Sequence, residues 1–152
     1  MIYVCGLLLG AITGLRAMTG AAAASWAAYL GIAKVSGTWL AFLGSSWAVA
    51  IFSILAIVEL VTDQLPSTPS RKVPVQFGTR IAIGIIAGIA VASPANWLLG
   101  AIAGGIGAVI GTLGGAHLRG RLAASFGKDA PAAFIEDAVA IIGAILIVLA
   151  LK

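Results

Sequence analysis

Five acidic and nine basic residues carry all the fixed charge of this 152-residue sequence, and their spacing limits the chemistry it can do. Arg16 stands alone inside an apolar stretch from Ile2 to Ala33. Glu59 and Asp63 are four residues apart, which on a helix puts both carboxylates on one face. Such a pair repels itself unless it shares a proton, binds a cation or meets a guanidinium. Glu136 and Asp137 are adjacent, so on a helix at most one is expected to face a given interior groove. Arg71, Arg80 and Arg119 are the guanidinium groups that could meet these acids or hold an anion or a lipid headgroup. Ser67, Thr68 and Ser70 beside Arg71 could add hydroxyls to an anion-holding loop.

Several chemistries lack their residues. His117 is the sole histidine, beside two arginines, and Cys5 the sole cysteine, so the sequence carries no zinc-ligand cluster and no motif that pairs the two as a nucleophile. The sequence has no phosphate-binding glycine loop ending in Lys-Ser or Lys-Thr, and no nucleophile elbow. No metal or other cofactor is expected.

These groups must be positioned by apolar elements. The composition is 61% hydrophobic and 9% charged, against about 25% charged in an ordinary soluble domain. The uncharged runs Val35 to Val58 and Ile81 to Ala116 exceed the roughly 20 residues that cross a bilayer. Lipid is therefore the expected solvent, and the net charge of +4 gives no reason to expect nucleic acid as a partner. The segment Met1 to Leu15 lacks a basic leader and reads as part of the mature protein. The fold expected is all-α, a polytopic membrane helix bundle with about five transmembrane segments in a single domain over 1–152.

As one helix, Ile2 to Ala33 would measure about 48 Å against a hydrocarbon slab of about 30 Å, so it must tilt, bend or break. The weakest place is Thr13 to Gly20, around Arg16, and the first helix is expected to be broken there. A second helix is expected from Trp39 to Val61, a third from Phe77 to Ser93, a fourth from Ala95 to Ala116 and a fifth from Ala132 to Leu151. Gln64 to Pro74 is the clearest loop, and Ala116 to Ala130 is expected to be a basic one. Five crossings would put both basic loops on the cytoplasmic side, with the N-terminus inside and the C-terminus outside. A re-entrant break between Gly14 and Gly20 would move one end across.

Glycines recur at helical spacing: Gly6, Gly10 and Gly14, then Gly100 and Gly104, then Gly107, Gly111 and Gly115. In lipid such stripes let helix backbones approach closely. Gly10 to Gly14 resembles Gly107 to Gly111, and Ala56 to Glu59 resembles Ala133 to Glu136. These matches suggest an inverted repeat with halves at about 1–63 and 95–152, in which the first and fourth helices oppose each other.

The run from Glu59 through Asp63 to Pro66, followed by Arg71, together with Gly14-Leu15-Arg16 and Glu136 to Ala140, resembles the bacterial inner-membrane family catalogued as domain of unknown function 4126. The Glu-x-x-x-Asp-x-x-Pro element is its most specific part, and the resemblance covers most of the chain. Gln64 stands where that family often has lysine, which weakens an Asp–Lys pair there. The resemblance implies a multi-pass protein of the bacterial inner membrane and supplies no reaction.

The leading functional expectation is a transporter or channel-like homodimer for a small ion or polar solute, surrounded by membrane lipid, with Arg16, Glu59, Asp63, Glu136 and Asp137 along its path. Two alternatives stand beside it. One is a membrane-embedded enzyme on a lipid-linked substrate, with Glu59 or Asp63 as proton acceptor and Arg71, Arg80 or Arg119 holding phosphate. The other is a structural or accessory membrane protein.

Overall fold

The computed structural model describes residues 1–64, 72–92, 94 and 96–152. Its helices are α1 (Ile2–Leu15), α2 (Ala17–Tyr29), α3 (Ser46–Thr62), α4 (Pro74–Ala92), α5 (Trp97–Phe126) and α6 (Asp129–Ala150), with a 3₁₀ turn at Ala41–Gly44 before α3. No strand occurs among the described residues. Helices α4, α5 and α6 are long and apolar enough to cross a membrane, and α1 and α3 are shorter apolar helices. The protein is thus an all-α, largely hydrophobic bundle.

Local chemistry explains where the boundaries differ from expectation. α3 starts at Ser46, not Trp39, because the Ser45 hydroxyl accepts the Ala48 N–H at 3.1 Å and caps the helix. α5 continues ten residues past Ala116, so His117, Arg119 and Arg121 are helical and not in a loop. Its added residues are mostly good helix formers, and it ends at Gly127, whose φ of 67° is left-handed and suits glycine. α6 then begins at Asp129, with Pro131 inside its first turn.

Glycine sets the packing of α1, α4 and α5. A Cβ added to Gly10 would fall on the Gly104 carbonyl, one on Gly104 would fall on the Gly84 carbonyl, and one on Gly107 on the Leu7 carbonyl. The backbones therefore touch directly, which maximises dispersion contact where lipid offers no hydrophobic drive. The same contacts give direction. Gly6 lies against Gly88 and Ala103, and Gly14 against Ala108 and Thr112. α1 and α5 therefore run parallel and α4 runs against them. This corrects the expected opposition of the first and fourth helices, on which the pairing of halves 1–63 and 95–152 relied.

The reason is a chain reversal at Arg16. The Gly20 Cα lies against the Thr13 side chain, and α2 then climbs alongside α6, the two lining a cavity of about 350 Å³ from Thr19 to Leu149. α3 descends beside α2, with Trp26 Nε1 donating to Ser53 Oγ at 3.1 Å. Ile2, Ile32, Lys34 and Lys152 border one cavity, so both termini lie at the same end of the bundle. The expectation of termini on opposite sides is corrected by that extra leg.

Leu9, Leu40, Ala27, Ala108 and Ala140 are fully enclosed, while Ile54, Ile57, Ile110, Ile142 and Leu146 face outward. Exposed Tyr29, Trp39, Trp47 and Trp97 lie on segments that start or end at the terminus-bearing end, where indole and phenol rings suit a headgroup region. The opposite end carries the ionic groups described below.

The glycine contacts predict that Gly10→Val destabilises the protein by about 1–3 kcal/mol or more, since the new carbon meets backbone that cannot yield. Gly114→Ala, where an added Cβ meets nothing within 4 Å, should stabilise it by about 0.5–1 kcal/mol. Unfolding midpoints of the purified protein in one detergent check both; equal midpoints for the two variants would contradict the packing.

Candidate functional site

The site is built around a helix interruption. Arg16 has φ −141° and ψ 105°, an extended conformation, so α1 stops at Leu15 and α2 starts at Ala17. An interruption leaves N–H groups at one helix start and carbonyls at one helix end without partners inside the helix. Glu59, from the last turn of α3, meets the first set: its Oε1 accepts from Ala17 N–H at 2.9 Å and its Oε2 from Met18 N–H at 2.8 Å. Arg80, from the first turns of α4, meets the second. Its Nη1 donates to the Leu15 carbonyl at 2.7 Å and the Gly14 carbonyl at 3.1 Å. The Thr112 hydroxyl of α5, which donates to the Ala108 carbonyl at 2.8 Å, shares that proton with the Gly14 carbonyl at 3.2 Å. Each charge also has the sign that the adjoining helix dipole favours. Arg80 Nη2 lies 3.7 Å from Glu59 and 3.8 Å from Asp63, which ties the two clamps together.

The Arg16 side chain has no solvent exposure. Its Nε donates to Asp137 Oδ1 at 2.6 Å and its Nη1 to Asp63 Oδ2 at 2.5 Å. Its Nη2 makes ion-pair contacts with Asp137 Oδ1 at 2.6 Å and Glu136 Oε2 at 3.6 Å. Gln64 Nε2 donates to the second Asp137 oxygen at 2.8 Å. Arg119 extends the network outward. It donates from Nε to Asp129 Oδ1 at 3.0 Å, from Nη1 to Glu136 Oε2 at 3.3 Å, and from Nη2 to the Asp63 carbonyl at 3.2 Å. The chain has five acidic residues. All of them, Glu59, Asp63, Asp129, Glu136 and Asp137, join this one cluster.

The structure brings together Arg16, Glu59, Asp63, Glu136 and Asp137, and adds Arg80 and Arg119 to them. Arg80 holds backbone carbonyls and Arg119 holds carboxylates, so in this conformation neither guanidinium is directed at a solute. Arg71, with Ser67, Thr68 and Ser70, lies outside the described residues. One expectation is corrected: Glu136 and Asp137 are both buried and both contact Arg16, although they are adjacent. A guanidinium presents more than one edge, and the two carboxylates reach it from neighbouring positions. Asp129, Gln64 and Thr112 are partners that the sequence reading missed. For Thr112 the available signal was a hydroxyl set within a glycine stripe; for Asp129 it was an acid in a helical first turn.

Each of the five carboxylates is engaged by guanidinium, amide or backbone N–H groups. Among the described residues no cluster of three or more His, Cys, Asp or Glu could hold a metal ion. A cleft of about 110 Å³ between α5 and α6 reaches Arg119 and Glu136 past Leu118, Leu122, Ile135 and Val139. Away from the network, toward the termini, the interior is apolar around Leu9, Ile12 and Ala140.

The family profile described as Domain of unknown function (DUF4126) matches residues 3–150, and the chain belongs to that family. No curated protein and no solved structure matches it significantly. Membership and the apolar helices together make it a multi-pass protein of the bacterial inner membrane.

Glu59→Leu removes both acceptors from the start of α2 and should cost about 2–6 kcal/mol, at about 1–3 kcal/mol for each donor left unpaired. Glu59→Gln keeps one acceptor oxygen and a similar shape, so it should retain more than half of that stability. Melting in detergent reads the order wild type, Glu59→Gln, Glu59→Leu; equal melting of Gln and Leu variants would deny the clamp.

Proposed function

We propose that this family member is a small transporter or channel-like protein for protons or another small ion, and that the network around Arg16 is its gate. The observation that carries the reading is the wholly buried arginine at a helix interruption, ringed by carboxylates from α3 and α6. Ionisable groups at membrane depth characteristically mark ion and proton paths, and interrupted helices with their ends turned to a charged site are a recurrent transporter element. We read α1 and α2 as the legs of a re-entrant hairpin. At 14 and 13 residues they measure about 21 and 20 Å, short of the roughly 30 Å slab, which would place the Arg16 tip within it.

The polar contacts form a route. It begins at Asp129, whose side chain is 59% exposed, and passes through Arg119 and Glu136 to Arg16, Asp137 and Asp63. Beyond Arg16 the route meets apolar core. This conformation is therefore read as closed, with conduction requiring the hairpin tip to shift so that a carboxylate exchanges Arg16 for a proton or cation. A bundle this small encloses little interior, and the working unit is proposed to be a homodimer.

A second reading has its own supporting observation: the helix ends at the break are met by protein side chains, as in a structural clamp. Under it the protein is an accessory membrane component that moves no solute. The enzyme reading fares less well: of its proposed bases Glu59 accepts from backbone N–H groups and Asp63 pairs with Arg16, and of its described phosphate holders Arg80 donates to backbone carbonyls and Arg119 to Asp129 and Glu136.

Purified protein in vesicles loaded with a pH-sensitive dye should collapse an imposed proton or cation gradient. Asp63→Asn and Glu59→Gln should each slow that flux at least about tenfold, the effect of losing an essential proton-transfer group, while Glu59→Gln stays folded with a melting midpoint above that of Glu59→Leu. Absence of flux of protons, Na⁺ or K⁺ through correctly folded wild-type protein would reject transport in favour of the accessory reading.

A further inference from the structure

The acids of this chain are drawn into the interior network, and Asp129, the one whose side chain is mostly exposed, is held by Arg119 at 2.5 Å. The charge left on the outside of α5 at that end is therefore basic. Among the described residues Arg121 and Lys128 have no ion-pair partner, and both are exposed, as is His117.

These groups continue a lipid-facing stripe. Ile106, Ile110 and Leu113 are each about half exposed, at 49%, 55% and 49%. At the same three- and four-residue spacing the stripe passes to His117 and Arg121, and Lys128 follows the left-handed turn at Gly127. Residues at that spacing share one helix face. α5 has 30 residues, about 45 Å, which exceeds the roughly 30 Å hydrocarbon layer by about 15 Å. One unpartnered face thus runs from acyl-chain depth, where it is apolar, to headgroup depth, where it is cationic. Beside it Gly114 and Gly120 leave open space where an added Cβ would meet nothing within 4 Å.

We propose that this face of α5 binds an anionic phospholipid, with an acyl chain along Ile106, Ile110 and Leu113 and the phosphate at Arg121, supported by His117 and Lys128. A guanidinium can engage phosphate through two parallel hydrogen bonds, which fixes a headgroup in a way a lysine alone does not. Charge complementarity selects the anionic lipid over a zwitterionic one, because no carboxylate stands on the stripe to meet a choline or ethanolamine group. The three basic positions lie within about three helical turns of one another, the spread of one headgroup and its glycerol with flexible side chains reaching toward it.

The test uses the full chain in bilayer discs of phosphatidylcholine containing a minor fraction of phosphatidylglycerol, with retained lipid counted by native mass spectrometry. Wild type should retain phosphatidylglycerol well above its bulk fraction. Arg121→Gln should reduce that enrichment about fivefold, the ratio equivalent to about 1 kcal/mol for one basic residue near an anionic surface. Arg121→Lys should keep the charge-dependent part, and Lys152→Gln, at the opposite end, should change nothing. Melting midpoints matched to wild type show that the exposed substitutions leave the fold intact. Enrichment unchanged in the Arg121→Gln/Lys128→Gln double variant would overturn the proposal, as would phosphatidylglycerol held only at its bulk proportion by wild type, or an equal loss in Lys152→Gln.

Discussion

A helix that stops inside a protein leaves backbone N–H and C=O groups that must find partners, because no water reaches them there. That constraint organises this protein. At Arg16 the chain leaves α1 and starts α2, and the freed groups are met by Glu59, Arg80 and Thr112. A buried polar group without a partner costs several kcal/mol in an apolar medium, whereas a charge near a helix dipole contributes about 0.3–1 kcal/mol. Hydrogen bonding, more than the dipole, therefore dictates why charged side chains stand here. Once they are placed, their own charges require partners, and the network grows outward from the break. Glu59 is balanced by Arg80, while Arg16 is balanced by Asp63 and Asp137.

The glycine packing belongs to the same device. A Cβ on Gly14 would collide with the α5 backbone at Ala108, Gly111 and Thr112. That close approach is what brings the Gly14 carbonyl within 3.2 Å of the Thr112 hydroxyl and 3.1 Å of Arg80. Widening the α1–α5 contact would therefore pull a carbonyl off two donors at once. Packing and polar satisfaction form one mechanical unit at the hairpin tip, so movement there is expected to be an exchange between discrete arrangements and not a gradual loosening.

Much of the site was legible because charge is so scarce. An arginine alone between apolar runs, two acids at helical spacing and an acidic pair early in the last helix each stand out in a sequence with 9% charged residues. The direction of the chain after Arg16 was not legible. Leu15-Arg16-Ala17 contains neither glycine nor proline, and the extended conformation at Arg16 is open to any residue, so the turn is set by partners 42 to 121 residues away. The reach of α5 was misjudged for another reason. His117 to Phe126 loses hydropathy but keeps helix propensity, and a reading tuned to lipid takes the first change for an end. The parallel run of α1 and α5 follows from the same reversal, which the sequence offered only as the alternative of a re-entrant break between Gly14 and Gly20.

The distribution of charge has a consequence for how any ion would enter. Lys34 and Lys152 are the described charged residues at the terminus-bearing end, and the carboxylates are concentrated at the other. A solute arriving from the terminus-bearing end would meet no vacant acidic cavity, because each carboxylate already faces an arginine, an amide or a backbone donor. It would have to replace one of those partners, and the replacement must return what it displaces. Releasing Arg16 without compensation would leave a buried guanidinium unpaired, a penalty of several kcal/mol. Protonation of Asp63 or Asp137 is subject to the same rule, since it removes the countercharge of Arg16. On the transport reading proposed above, the accessible exchange would be one in which Arg16 shifts toward the carboxylates that remain, Glu136 among them at 3.6 Å. The cluster of alternative acids around a single arginine supplies that redundancy, which a simple one-to-one salt bridge would lack.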